Sequence, residues 1–110
     1  MKPMVEVSGI VAAPADVIVD RVFEYFDSQR GRYFPAVEID RPGRTVALQG
    51  GWWFRGEYTV DDHPAGSRVT HRVYNVATSM RWGVPLANRL FIGFRRKVEA
   101  EFEEFLKRLG

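Results

Sequence analysis

Acid–base chemistry in this sequence would depend on His71, which is predicted to point inward from a β-strand. Apolar and polar residues alternate over 66–77 and place His71 on the same face as two valines. Burial disfavours a charged imidazole, so we expect the pKa of His71 to lie below the usual value of about 6.5. A neutral imidazole can accept a proton from a ligand or hold a ligand hydroxyl, with Tyr58 and Asn75 as polar neighbours. The alternative is a core histidine that is satisfied by Tyr58 or by a water molecule.

An aromatic cluster is the second feature that favours a binding site. Trp52, Phe54 and Tyr58 alternate with polar residues and are predicted to share the inner face of one strand. Apolar residues of the next strand and of a C-terminal helix face them, which favours a cavity for a flat apolar ligand. The alternative is an aromatic-rich core without a cavity. The predicted ligand-binding residues are Trp52, Phe54, Tyr58, Val73, Asn75, Phe91 and Phe94.

Two further aromatic residues, Trp53 and Tyr74, are predicted on the opposite, outer face of the same two strands. Large aromatic side chains that lie side by side on an exposed sheet surface are typical of subunit contacts. We therefore expect a homodimer, or another partner contact, through Trp53 and Tyr74.

The composition and the short motifs exclude several classes of site. There is no cysteine, which excludes disulfides, thiol nucleophiles and zinc sites with sulfur ligands. His63 and His71 are too few for a histidine metal cluster, and we expect neither a metal nor a cofactor. No serine lies in the Gly-x-Ser-x-Gly setting of a nucleophile elbow. The pair Gly50-Gly51 is not followed by the Lys of a phosphate-binding loop.

Hydropathy and charge restrict the expected cellular location and the expected binding partners. Apolar runs are short, so we expect neither a membrane span nor a signal-peptide core, and the cytoplasm is the expected location. Residues 63–98 carry seven basic and no acidic side chains, and 13 of the 16 basic residues are Arg. One interpretation of this excess of basic residues is that their side chains lie on solvated surfaces. The alternative is that they bind an anionic partner. Nucleic-acid binding is disfavoured, because no recognisable reading motif accompanies the basic residues.

Hydrophobic periodicity predicts one α+β domain over residues 1–110, in the order β-α-β-β-β-β-α. Strands are predicted at 4–12, 36–41, 44–48, 52–61 and 66–77. One helix opens at 13–16 and ends near 27, and a long amphipathic helix runs from Pro85 to about Leu109. This long helix is expected to lie across the concave face of a curved sheet.

Turn residues and side-chain parity predict the strand register. Pro42-Gly43 predicts a type II turn that pairs Ile39 with Val46 and Val37 with Leu48. A three-residue hairpin at 49–51 and a four-residue loop at 62–65 are predicted to connect the next strands. The resulting pairs are Leu48 with Trp52, Tyr58 with Val69, Gly56 with His71, and Phe54 with Val73.

Three segments resemble the helix-grip fold of the START-like (SRPBCC) superfamily, which includes polyketide cyclases and lipid-transfer domains. They are the strand at 5–12 that runs into Ala13-Pro14-Ala15-Asp16-Val17, the loop Tyr33-Phe34-Pro35, and the apolar stripe from Leu90 to Leu109. The resemblance implies a curved antiparallel sheet of about five strands wrapped on the C-terminal helix. It implies no catalytic residue, because the superfamily lacks a universal catalytic signature.

Members of that superfamily usually have six or seven strands and two short helices after the first strand. Here we predict five strands and one helix, so the pocket is expected to be smaller, open at one edge, or completed by a second chain. The alternative fold is a cystatin-like α+β sandwich without a cavity.

The predicted function is the binding of an apolar, aromatic or lipid-like small molecule between the sheet and the C-terminal helix. Whether the protein also transforms this ligand, as a polyketide cyclase or dehydratase does, is left open by the residues. The alternative is a protein-interaction module on the same fold, like the co-chaperone domains that share it. Such a module would use the surface around Trp53 and Tyr74 and the basic stretch.

Overall fold

The computed structural model describes residues 3–29, 36–50, 54–75 and 94–109. In this part of the chain, one antiparallel sheet has the strand order β1-β5-β4-β3-β2. The α+β class, the five strands and the element order therefore agree with the prediction. The loop Tyr33-Phe34-Pro35 and the start of the C-terminal helix at 85–93 lie outside the described residues. The elements are β1 (Val5–Val11), α1 (Ala15–Asp27), β2 (Ala36–Asp40), β3 (Thr45–Gly50), β4 (Phe54–His63), β5 (Gly66–Asn75) and α2 (Phe94–Leu109).

Helix α1 begins directly after Pro14, which has the extended backbone of a cap residue with ψ of 145°. The Pro14 carbonyl accepts hydrogen bonds from the amides of Val17 at 3.1 Å and Ile18 at 3.2 Å. The side chain of Ile18 is fully buried, whereas Val17 is 40% exposed. Of these two neighbours, Ile18 therefore belongs to the apolar side. The other buried residues of the helix are Ala15, Val19, Val22, Phe23 and Phe26.

The β2–β3 hairpin has the predicted pairing but a different turn. The Arg44 amide donates to the Arg41 carbonyl at 3.1 Å, so Pro42 and Gly43 are the central turn residues. A type II turn needs a positive φ at Gly43, but the positive φ, of 52°, occurs at Arg44. The type II prediction is therefore wrong. The side chain of Asp40 accepts a hydrogen bond from the Gly43 amide at 3.1 Å and holds this turn. The register pairs Val37 with Leu48 and Ile39 with Val46.

The β4–β5 register differs by two residues from the prediction. His63 pairs with Gly66, so the connection has two residues, Pro64 and Ala65, and not four. The Ala65 amide donates to Nδ1 of His63 at 3.1 Å, and Gly66 has a φ of +135°; both features tighten the turn. A shift of two residues keeps every side chain on its predicted face. The observed pairs are Tyr58 with His71, Gly56 with Val73, and Phe54 with Asn75.

The β3–β4 hairpin is also displaced. Leu48 pairs with Gly56, and Gly50 pairs with Phe54, so the predicted pairing of Leu48 with Trp52 is wrong. Strand β3 extends through positions 49 and 50, which the turn pattern assigns to the hairpin loop. Trp52 and Trp53 precede β4 and lie outside the described residues.

Both helices pack on the inner face of the sheet, where the core lies. Gly9 of β1 lets α2 approach closely, because a side chain at this position would overlap with Leu106. A guanidinium nitrogen of Arg21 donates to the carbonyl of Leu109 and joins the two helices. Within the described residues, neither helix combines the length and the apolar character that a membrane span requires.

The outer face carries a row of ion pairs across the sheet. Arg72 binds Glu6 at 2.8 Å, and Arg55 binds Glu38 at 2.9 Å and Glu57 at 3.3 Å. In the register, Arg72 of β5 lies between Glu6 of β1 and Glu57 of β4, so charges of opposite sign alternate across these three strands. Partly exposed pairs of this kind contribute at most about 1 kcal/mol each. Their main effect is to keep most of the outer face polar.

Candidate functional site

A pocket of about 490 Å³ lies between the inner face of the sheet and the two helices. Its strand residues are Leu48, Phe54, Tyr58 and His71, and the helices supply the remaining wall. Most of this wall is apolar, which suits a small organic ligand. Besides Gln29, in the turn after α1, the remaining lining residues are helical: Tyr25, Phe26, Val98, Ala100, Glu101, Phe102, Glu104, Phe105 and Arg108.

The floor of the pocket is built around the ring of Tyr58. This ring stacks on His71, with 4.1 Å between the ring centroids and an angle of 12° between the planes. On its other sides, Phe26 of α1 lies at 4.7 Å and Phe105 of α2 at 5.2 Å. Phe102 stacks over His71 at 6.1 Å. The imidazole is therefore held between aromatic rings, which fixes the plane in which it can bind a ligand.

His71 presents a hydrogen-bond acceptor in this apolar setting. Its side chain is 5% exposed, and Nδ1 donates to the backbone carbonyl of Glu57 at 3.2 Å. Because a carbonyl only accepts, Nδ1 carries the proton and Nε2 carries the lone pair. Burial lowers the pKa of His71 to about 4, and the hydrogen bond to Glu57 offsets only part of this effect. At neutral pH, His71 is thus an uncharged acceptor.

Tyr58 is the second polar group of the floor. Burial raises the pKa of Tyr58 well above its usual value of about 10, and Tyr25 and the Glu101 carboxylate raise it further. The hydroxyl consequently stays protonated at every physiological pH. Tyr58 can donate a hydrogen bond to a ligand or accept one from it.

Gly56 provides the space that these rings occupy. A Cβ atom at this position would lie 3.2 Å from Cε1 of His71 and 3.0 Å from Cζ of Phe54. Contacts this short would push both rings out of place. Gly56 does not lie directly opposite His71, as predicted, but diagonally to it, since its partner in the register is Val73.

The opening of the pocket is polar. Glu101, Glu104 and Arg108 of α2 line it and are exposed, and Gln29 lies at the end of α1. Among the described residues, Glu104 forms an ion pair with Lys107, with Nζ and Oε1 3.4 Å apart. The pocket therefore combines an aromatic floor with a charged rim.

The predicted binding residues divide into three groups. Phe54, Tyr58 and His71 line the pocket. Val73 is fully buried in the inner face beside Gly56, and Asn75 is half-buried and pairs with Phe54; neither lines the pocket. Trp52, Phe91 and the side chain of Phe94 lie outside the described part of the chain.

The sequence does not assign Phe26, Phe102 or Phe105 to the pocket. Phe26, Phe102 and Phe105 follow helical spacing, which identifies them only as core positions. The helical spacing indicates that these residues are buried, but it does not indicate which of them line the pocket. The described residues contain no group of three metal-binding side chains. His63 instead binds the amide of Ala65 at the turn.

In the described parts of the chain, these features define an α+β fold in which a five-stranded antiparallel sheet carries two helices on one face. This fold is similar to that of a solved structure, the crystal structure of TTHA0849 from Thermus thermophilus, with a TM-score of 0.61. The match covers 96% of this chain and 95% of that chain, at 13% sequence identity, and therefore concerns the fold alone. Comparison with protein-family models and with curated proteins gives no match.

Proposed function

We propose that this is a cytoplasmic small-molecule-binding protein of the START-like type, with its sheet wrapped around the C-terminal helix. The observation that carries the proposal is the aromatic-floored pocket of about 490 Å³. Ligand pockets usually have volumes of about 300–1,000 Å³ and mostly apolar walls with a few placed polar groups. The placed polar groups here are His71 and Tyr58. An apolar or aromatic ligand is the class that fits this floor.

In this proposal, His71 binds a polar group of the ligand through Nε2. Because the imidazole is stacked between Tyr58 and Phe102, it needs little reordering when the ligand enters. The same lone pair is where a proton of the ligand would be accepted. His71 is thus our candidate for a catalytic residue.

Filling the pocket from α2 should abolish ligand binding without unfolding the protein. Ala100 lines the pocket from an exposed position, so an Ala100→Trp side chain can enter the pocket without displacing a core residue. Native mass spectrometry of the purified protein should reveal a bound apolar compound. We expect this compound to be absent from Ala100→Trp.

The matched control is Glu103→Trp, which adds the same side chain to an exposed position of α2 outside the pocket. This variant should retain the compound at the level of the unaltered protein. Equal loss in both variants, or no bound compound in any of them after native purification and exposure to an apolar fluorescent probe, would contradict the proposal.

A second proposal concerns the outer face, where we infer a homodimer contact through Trp53 and Tyr74. Tyr74 is half-buried on the outer face, opposite Arg55, and both described helices cover the inner face instead. A large aromatic side chain on a sheet face that none of the described elements covers favours a partner. Sedimentation at micromolar concentration should show a dimer, and Tyr74→Ala should shift it toward monomer. A monomer that Tyr74→Ala leaves unchanged would refute this contact.

A further inference from the structure

The polar groups of the pocket are mainly hydrogen-bond acceptors. Nε2 of His71 accepts because Nδ1 donates to the carbonyl of Glu57 at 3.2 Å. The carboxylate of Glu101 only accepts, and the hydroxyl of Tyr58 is able to accept as well. A ligand that satisfies these groups must therefore supply donors or a positive charge. A carboxylate or phosphate group beside His71 and Glu101 would face acceptors, whereas Arg108 and Gln29 are the lining side chains that could donate to it.

One carboxylate of the rim has no cationic partner among the described residues. Glu101, Glu104 and Arg108 line the pocket, and Glu104 is paired with Lys107, so the rim as a whole carries no net charge. No cation among the described residues lies within ion-pair distance of Glu101. The Glu101 carboxylate lines the same pocket as the ring of Tyr58.

The faces of the aromatic rings provide the rest of a cation site. Tyr25 lies 5.0 Å from Phe26 and 5.1 Å from Phe105, and the rings are inclined by 85° and 54°. Tyr58 lies beside the same two phenylalanines. These rings line the same pocket as the Glu101 carboxylate, and an ammonium group is attracted both to aromatic rings and to a carboxylate.

We propose that the pocket selects an organic cation, with an apolar chain or ring on the aromatic floor and an ammonium group beside Glu101. This inference rests on the proposed ligand-binding function and names the charge of its ligand. It depends on the Glu101 carboxylate itself and not on an excess of negative charge, since Arg108 and Lys107 balance the two rim carboxylates.

Three probes with the same apolar chain test the charge preference: decyltrimethylammonium, decanol and decanoate. Isothermal titration calorimetry at pH 7 and low salt should give the tightest binding for the ammonium probe. We expect it to bind about fivefold more tightly than decanol, as a partly exposed cation–π site provides. Decanoate should bind most weakly. Equal or tighter binding of decanol or decanoate overturns the inference but leaves the proposed ligand-binding function intact.

A pair of variants on α2 tests the assignment of Glu101. Glu101→Gln removes the carboxylate at the pocket, and Glu103→Gln removes one from an exposed position outside it. We expect Glu101→Gln to weaken decyltrimethylammonium binding about threefold and to leave decanol binding unchanged. Glu103→Gln should change neither. Equal effects of the two variants overturn the role of Glu101, and failure of all three probes to bind overturns the proposed function itself.

Discussion

Acidification from pH 7 to pH 4 is expected to destabilise the folded protein by about 3 kcal/mol through His71 alone. Burial lowers the pKa of this residue to about 4 in the folded chain, whereas the unfolded chain has the ordinary value of about 6.5. Between these two values, the unfolded state binds a proton that the folded state does not. Stability is therefore fully present above about pH 6.5 and is lost as the pH falls to about 4. Urea unfolding at a series of pH values measures this loss.

The control is His71→Phe, which keeps a flat ring between Tyr58 and Phe102 but cannot be protonated. All carboxylates are the same in both proteins, so the difference between their pH profiles isolates His71. The variant should lose little stability between about pH 6.5 and about pH 4.5 compared with the unaltered protein. Parallel profiles would show that His71 is solvated. If the variant keeps its stability but loses the bound ligand, His71 binds the ligand; if it keeps both, His71 is a core residue.

Gly66→Ala is expected to destabilise the protein by a similar amount, about 3 kcal/mol. Gly66 has a φ of +135°, which alanine adopts only with strain. Its added Cβ would also lie 2.7 Å from the Ala13 amide nitrogen and closer still to the Val11 carbonyl oxygen. Both atoms belong to the backbone and cannot rotate away. Thermal unfolding should show the loss as a clearly lower Tm.

The comparison for this variant is Gly43→Ala, at the other described hairpin turn. Gly43 lacks the positive φ, and the atoms nearest to its added Cβ belong to the side chain of Asp40, which can rotate. The cost should be limited to the hydrogen bond between Asp40 and the Gly43 amide, about 1 kcal/mol. Equal losses for the two variants would refute the strain at Gly66.

The face of each strand residue was predictable, whereas the register of two hairpins was not. Alternation places Tyr58 and His71 on the inner face whether the β4–β5 loop has two residues or four, because a shift of two positions preserves parity. The loop length depends instead on the bond from the Ala65 amide to His63 and on the backbone of Gly66. Hydrophobic patterning carries no information about either feature.

In the candidate site, too, the face of each strand residue was predictable, whereas the packing of the helices was not. Tyr58 and His71 were predictable, because each points to a defined side of a strand. Phe26 and Phe105 complete the pocket from two separate helices, and their place depends on how α1 and α2 pack on the sheet. Helical periodicity shows that these rings are buried but does not give the angle between helix and sheet. The depressed pKa of His71 was predictable in direction, since burial on an apolar face was its cause.

The pairing of β1 with β5 has a consequence for how the chain folds. Val5 pairs with Val73 and Val11 with Ser67, so α1 and strands β2, β3 and β4 all lie between the two partners. Strands β2, β3 and β4 each pair with the next strand in sequence, so the four strands β2 to β5 can assemble locally. Of the five strands, β1 is synthesised first, whereas its partner β5 is synthesised last. We therefore expect the addition of β1 to be the last and slowest step of folding. Until it occurs, the free edge of β5 offers another nascent chain a place to add its own first strand.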